Sequence, residues 1–456
     1  TPDLLISRRI NASSARTMFV DRARGDNWRL DSTTTERQLS DHALIDLTRT
    51  NKMVLGNDNN NAQGQNGLFG DNYLFEHYLF KRSPGFFDIV TWGETSSSTP
   101  QVTHNLDAVP EMVITKMRNY GNNQNYSGDK WYCYHKDLGN SNGGAGSSAA
   151  WDSHLGFNQN ASQTSSSGQG IFSATPTATN LPFDNPSSDS LAVGGHTDAT
   201  YVAYLFADGD DSDAQIFGGG GNESVVKCGS WDAVSGAATI ELGWEPQWVL
   251  VKNWTDAGWW LMFDAARGMC VGNDEYLVPN TNGIADSGSD FIEPHPTGFS
   301  VTNLGSSQTF IYVAIRRDMK PAEDATKVFS AGTRSGSGSV ANTASTVFTD
   351  MSITCRLDSA AEYNSLNSRL LGTHTFKTTG EDAYGTGLVS AWDVMTGMLV
   401  TGSNGAANTG NLVDYSFKRQ PGFFDVATHA GDPSNNAVTV YHNLGVKPEL
   451  IFTKCL

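Results

Sequence analysis

The sequence predicts an all-β chain of tandem β-sandwich, jelly-roll-like modules of about 100–125 residues each. Three observations predict it. A strand-like motif recurs at domain-sized intervals along the 456 residues. Short apolar or alternating segments are common, whereas no long stretch keeps a convincing 3.6-residue period. Glycine, at 47 residues, is plentiful among Ser, Thr and Asn, as many short strands joined by turns require. Sandwiches are expected over barrels because strand lengths vary and connections are long.

The recurring motif is clearest at Gly243-Trp244-Glu245-Pro246-Gln247-Trp248-Val249-Leu250-Val251-Lys252. Copies start around Pro2, Pro110 and Pro448, and a weaker one around Thr349 lacks the proline. The steps between these positions are 108, 136, 103 and 99 residues, which means tandem modules and not a short-repeat solenoid. Proline fixes φ and cannot donate to a ladder, so it suits the start of a strand. The apolar run that follows reads as a largely buried strand, closed by Lys or Arg where the chain is expected to return to water.

A second strand follows each copy and ends in a polar turn. Examples are Phe19-Val20-Asp21-Arg22-Ala23-Arg24-Gly25, Tyr132-Cys133-Tyr134-His135-Lys136-Asp137-Leu138-Gly139 and Met262-Phe263-Asp264-Ala265-Ala266-Arg267-Gly268. The closing glycine predicts φ > 0. Each unit then ends on an alternating strand such as Tyr201-Val202-Ala203-Tyr204-Leu205-Phe206. Two linkers nearly match, Pro84-Gly85-Phe86-Phe87-Asp88 and Pro421-Gly422-Phe423-Phe424-Asp425, with the phenylalanines expected to pack at module junctions. Residues 140–167 read as a long surface loop, and 359–371 is the best helical candidate. The resulting division is a partial module at 1–82, complete modules at 83–214 and 215–320, a divergent one at 321–420, and the opening of another at 421–456. The incomplete ends are expected from a segment of a longer polypeptide. The alternative is donor-strand completion of one copy's first module by the next copy's last residues, and intact mass separates the two.

Composition narrows the function. A net charge of −18 argues against nucleic acid and anionic membrane surfaces as partners. No run approaches 18 apolar residues, so no membrane insertion by a helix is expected. Five dispersed cysteines with no Cys-x-x-Cys pair predict neither a disulfide framework nor a zinc site.

Together, the Pro-Gly-Phe-Phe-Asp linker, the His-Asn-Leu strand starts at His104 and His442, the 243–252 strand and the Ala314-Ile315-Arg316-Arg317-Asp318-Met319-Lys320-Pro321-Ala322 ending resemble repeat modules of tailed-bacteriophage structural, tail-fibre-like proteins. The resemblance covers nearly the whole chain. It implies a structural virion protein of the tail or capsid surface, a homo-oligomer, with a trimer as the common fibre arrangement, that contacts other virion proteins and contributes to host attachment. It implies no catalytic residue and no cofactor.

Several residues are candidates for chemistry. His104 and His442 have no companion His, so a turn-stabilising hydrogen bond is expected. Asp21 with Arg24, and Asp264 with Arg267, read as ion pairs or turn caps, since glycoside hydrolysis needs two facing acids. Asp208, Asp210, Asp211 and Asp213 form a weak calcium candidate that lacks the Gly and Glu of an EF-hand loop. Trp131, Trp254 and Trp259 are glycan-stacking candidates against a core reading. A glycan-binding adhesin recognising host surface glycan is thus the alternative function, and a polysaccharide-degrading tail protein the second alternative. The preferred arrangement is a stiff rod of separately folded modules.

Overall fold

The computed structural model describes residues 1–11, 15–25, 28–40, 45–47, 49, 53–55, 73–93, 99–119, 131–139, 149–165, 170–184, 199–208, 224–233, 237–283, 285–359, 364–378, 385–392, 394–401, 408–429, 434 and 437–455. The chain is all-β, built of antiparallel sheets in sandwich-like modules.

Residues 1–82 supply β1 (Leu4–Arg9), β2 (Thr17–Asp21), β3 (Trp28–Asp31), β4 (Leu39–Ser40), β5 (Ile45–Asp46), β6 (Val54–Leu55) and β7 (Phe75–Phe80). Their main sheet runs β4-β3-β2-β1-β7, with β5-β6 as a separate pair. The next module supplies β8 (Phe87–Gly93), β9 (Gln101–Thr103), β10 (Pro110–Asn119), β11 (Trp131–His135), β12 (Ser153–Gly156), β13 (Thr164–Ser165), β14 (Asn180–Pro182) and β15 (Thr200–Ala207). Its main sheet runs β13-β12-β11-β10-β15-β8, and β14 pairs with β9.

The third module supplies β16 (Val226–Ala233), β17 (Ala238–Glu241), β18 (Pro246–Asn253), β19 (Trp260–Asp264), β20 (Asp274–Leu277), β21 (Asp286–Ser289), β22 (Ile292–His295), β23 (Gly298–Val301) and β24 (Gln308–Arg316). The sheets are β21-β20-β19-β18-β24-β16 and β17-β23-β22. The fourth supplies β25 (Phe329–Ser335), β26 (Ala341–Asn342), β27 (Met351–Arg356), β28 (Ser365–Ser368), β29 (Thr375–Lys377), β30 (Val389–Ala391), β31 (Leu399–Val400) and β32 (Asn411–Phe417). Its sheets are β29-β28-β27-β32-β25 and β26-β31-β30.

The motif strands β1, β10, β18 and β27 therefore hold the same place, flanked by a second strand on one side and the closing strand on the other. Pro110 and Pro246 begin β10 and β18, and the register against the closing strand slips just after each, where proline has no N–H to give. The glycines that end the second-strand turns, Gly25, Gly139 and Gly268, all have positive φ.

Alternation along each main sheet sends side chains to two apolar layers. One set packs locally: Val113, Tyr132, Tyr134 and Leu205 against the β9-β14 layer, and Val249, Phe263 and Phe299 in the third module. The other set converges. Leu4, Ile6, Phe19 and Phe80 of the first module, Met112, Ile114, Trp131 and Phe206 of the second, and Trp248, Leu250, Met262 and Val313 of the third lie in one buried cluster. Rings cross every boundary: Phe19–Trp131 at 4.9 Å, Phe80–Trp248 at 6.1 Å and Phe157–Trp260 at 5.0 Å between centroids. Each fully buried aliphatic or aromatic chain contributes about 1.5–3 kcal/mol, so this shared layer carries much of the stability.

Separate cores in a row were expected, and the structure corrects this. A period-2 pattern announces a buried face but not its partner. Other readings shift too. The stretch taken as a linker after residue 83 is a turn followed by edge strand β8, with Phe87 fully buried against Phe80 and Phe206. The helical candidate 359–371 contains strand β28 and a 3-10 turn, Arg369–Leu371. The loop 140–167 contains β12 and β13 in its described part.

Candidate functional site: the junction of three sheets

Where the three main sheets meet, equivalent positions carry polar groups that link the modules cyclically. The cations closing the motif strands, Arg8, Lys116 and Lys252, are fully buried, contrary to their expected return to water. Arg8 of the first module donates to Thr281 O (2.9 Å) and Gly283 O (2.6 Å) of the third. Lys116 of the second donates to Thr35 O of the first (3.0 Å). Lys252 of the third reaches Asn160 O of the second (3.5 Å) and its own Gly258 O (2.8 Å). The direction is first to third, second to first, third to second, a head-to-tail ring that closes. Burial pulls the Lys252 ammonium down to about 8. The neighbouring tryptophans follow the same order: Trp131 Nε1 donates to Asp31 O (2.9 Å) and Trp260 Nε1 to Gly156 O (3.0 Å).

A second ring lies at the ends of the second strands. Asp21 accepts from its own Arg24 Nε (2.6 Å) and backbone N (2.9 Å), and from Tyr204 Oη of the second module (2.8 Å). Asp264 accepts from Arg267 Nε and N (2.8 Å each) and from Tyr78 Oη of the first module (2.7 Å). Both acids thus act as ion-pair partner and turn cap together, as expected for an acid and a base three residues apart. At the third equivalent position stands His135. Its Nδ1 accepts from Asp137 N (3.2 Å), which leaves Nε2 to donate to Tyr312 O of the third module (3.2 Å). Burial holds His135 down at about 4, so it is neutral. Burial would lower Arg267, but the Asp264 carboxylate outweighs it and raises the guanidinium. Burial pushes the Tyr78 and Tyr204 hydroxyls well above 10, so both remain donors. At the centre sits an apolar cavity of about 20 Å³, lined by Leu4, Ile114, Tyr204, Trp248 and Leu250 among others. Its walls offer a water no set of polar partners.

A polar cleft of about 380 Å³ opens between the second and third modules beside Glu111, Lys136, Asp137, Asp208 and Lys227. Lys136 Nζ lies 3.7 Å from Glu111 and 3.9 Å from Asp137. Partial burial would lower it, yet the two carboxylates raise it, so it holds its proton and is no base. Cys228 is buried with its thiol pushed well above 9, which removes it as a nucleophile. Among the described residues no group of three or more His, Cys, Asp or Glu side chains could hold a metal ion. Of the calcium candidates, Asp208 is buried and accepts from Cys228 N (3.2 Å), while Asp210, Asp211 and Asp213 lie outside the described residues.

The glycan candidates separate. Trp131 and Trp254 are buried in the shared core and present no face to a sugar, a correction to that reading. Trp259 is 51% exposed. His104 Nδ1 accepts from Leu106 N (3.3 Å) and His442 Nδ1 from Leu444 N (3.2 Å), the turn bonds expected of them. The linker aspartates reinforce those turns, Asp88 accepting from Asn105 N (2.8 Å) and Asp425 from Asn443 N (2.6 Å).

The fourth module attaches differently. Arg419 holds Glu245 of the third module with two bonds (2.8 and 2.6 Å) and Asp425 with a third (2.7 Å). Arg317 bridges Glu245 (3.4 Å) and Asp350 (3.3 Å), and Arg369 donates to Ala266 O. The tyrosine pair Tyr78/Tyr204 and the cation series Arg8/Lys116/Lys252 were missed as junction residues. Their recurrence at matching positions of the repeats was the available signal.

No curated protein and no solved structure matches the chain. Residues 81–318, essentially the second and third modules and more than half of the chain, match a family described as a domain of unknown function, DUF7483. The chain belongs to the DUF7483 family.

Proposed function

We propose that the chain is a non-enzymatic structural component of a phage virion, a tail-fibre or tail-surface protein. The observation that supports this reading most is the cyclic junction. Acids, bases and tyrosines of the kinds that enzymes use are buried there in bonds between modules. A three-sided block with one core resists bending better than beads on a string, and stacking such blocks builds length. The modules are thus grouped around an axis, where the sequence suggested a simple row. Mass spectrometry of purified particles tests the proposal. Peptides of this chain at a stoichiometry of many copies per particle are expected; their absence from particles of a host that expresses the chain would reject it.

A second reading, a glycan-binding adhesin, is favoured by exposed Trp259 alone. Quenching of tryptophan fluorescence by host polysaccharide, lost in Trp259→Ala, is its expected signature. No hit on a glycan array would reject it.

A further inference from the structure

The fourth module repeats the main sheet of the others in register but reverses where its apolar side chains lie. The pairs Met351↔Phe417 and Ile353↔Tyr415 match Trp248↔Ile315 and Leu250↔Val313. Across the sheet, Phe329↔Phe417 and Ala331↔Tyr415 match Val226↔Ile315 and Cys228↔Val313. Leu366 opposite Ile353 takes the place of Met262 opposite Leu250. Every third-module residue in that comparison is buried in the shared three-sheet core. Their fourth-module counterparts are bare or half-bare: Phe329 is 37% and Tyr415 36% exposed, and Met351, Ile353, Leu366 and Phe417 are only half-buried.

The opposite face is polar. Ser330, Ser352, Thr354, Asn367, Asp414 and Ser416 are buried there, where the third module has Val249, Val251 and Ala314. Among the described residues the apolar face of this sheet is covered only in part, by Phe424 against Phe417 (5.3 Å) and at Phe376 beside Leu366, which is buried. The stretch from Phe329 to Tyr415 stays open, and an exposed apolar face on a rigid sheet marks an interaction surface.

We infer that this face assembles with the same face of two other copies of the chain, giving a three-sheet core like the one inside each chain. The occupant follows from the chain's own precedent. Three sheets in this register, with these side-chain types pointing inward, already cover one another around an axis, and a ring of three closes without leaving an open face. The residues on offer, Phe, Tyr, Met, Ile and Leu, are those that fill the cores of lasting interfaces, and no charged side chain lies among the six named. The inference does not depend on the virion assignment.

Sedimentation velocity on the intact chain tests it, with Phe329→Glu/Tyr415→Glu as the disrupting variant and Met395→Glu, at a residue 67% exposed elsewhere on the same module, as the control. The expected result is a species of three times 49.1 kDa for the wild type and the control, and 49.1 kDa for the disrupting variant. A wild type that stays monomeric across the dilution series, a dimer, or a trimer that survives both glutamates would overturn the proposal. A second readout guards against misfolding of the variant. Cys355 lies on the same face, opposite Val413, and is half-buried. In a Cys455→Ser background its alkylation is expected to be slow in concentrated wild type and to speed up on dilution. A rate independent of concentration contradicts assembly through this face.

Discussion

The first three modules and the fourth share a sheet order and a register, yet they put their apolar side chains to different use. In the first three, both faces of the motif strand are apolar, and the inner face is covered by the neighbouring modules. In the fourth, the covered face carries serines, Thr354, Asn367 and Asp414, and the apolar face is only half-covered among the described residues. The junction residues differ in step. Where the third module has Asp264 opposite Trp248, the fourth has Ser368 opposite Met351, and Leu371 stands where Arg267 would be. The comparison teaches that the β scaffold tolerates either dressing, and that the Asp–Arg–Tyr linkage belongs to the shared core and not to the module as such.

The sharpest way to test that lesson is to import the fourth module's residues into the third. Arg267→Leu alone strands the buried Asp264 carboxylate and is expected to cost about 3–5 kcal/mol in denaturant unfolding. Asp264→Ser combined with Arg267→Leu should cost far less. Two terminal nitrogens of Arg267 have no acceptor among the described residues, so the pair is imperfectly satisfied and its joint removal forfeits little. A double variant as unstable as the single one would mean that the pair is indispensable to the junction.

His135, the neutral member of the second ring, gives a pH signature. Burial sets it near 4 in the folded state against an ordinary value of 6.5. The unfolded chain therefore binds more protons between those values, and stability falls as pH drops from 6.5 toward 4. The full loss from this group is on the order of 3 kcal/mol. His77 is held at about 4 and shifts in the same direction, so the test is a difference: His135→Gln should flatten the slope of stability against pH, measured by urea midpoints across that window. An unchanged slope would place the acid sensitivity elsewhere.

Tyr78→Phe removes one hydrogen bond to a charged acceptor and leaves the ring packed. A loss of about 1.5–3 kcal/mol is expected, and Tyr204→Phe should lose at least as much, because both hydroxyls serve equivalent aspartates and Tyr204 Oη also accepts from Arg24 Nη2 (3.3 Å). A smaller loss for Tyr204→Phe would break the pseudo-threefold equivalence.

What could be read from the sequence was local. The turn-capping carboxylates of Asp21 and Asp264 and the Nδ1 atoms of His104 and His442 bond within two or three residues of themselves, and the prolines that open β10 and β18 act on their own strands. Pattern and spacing suffice for such contacts. The shared core was not legible, because alternation says that Leu250 is inside without saying that Leu4 and Ile114 are there with it. Arg8, Lys116 and Lys252 misled for the same reason. A cation at the end of a strand suggests solvent, and the carbonyls of neighbouring modules that receive these three lie 81 to 275 residues away. The strand pattern around Trp131 and Trp254 favours a core without excluding a sugar, and only the position of the neighbouring module decides between them.

Hydrogen exchange on the intact chain carrying Leu250→Ala tests the shared core most directly. The substitution removes an inward side chain of β18 and should cost about 2–5 kcal/mol. If three modules fold around one core, amide protection must fall together in β1, β10 and β18, while the fourth module's β27 and β32 keep theirs. Loss of protection confined to residues 215–320 would contradict it.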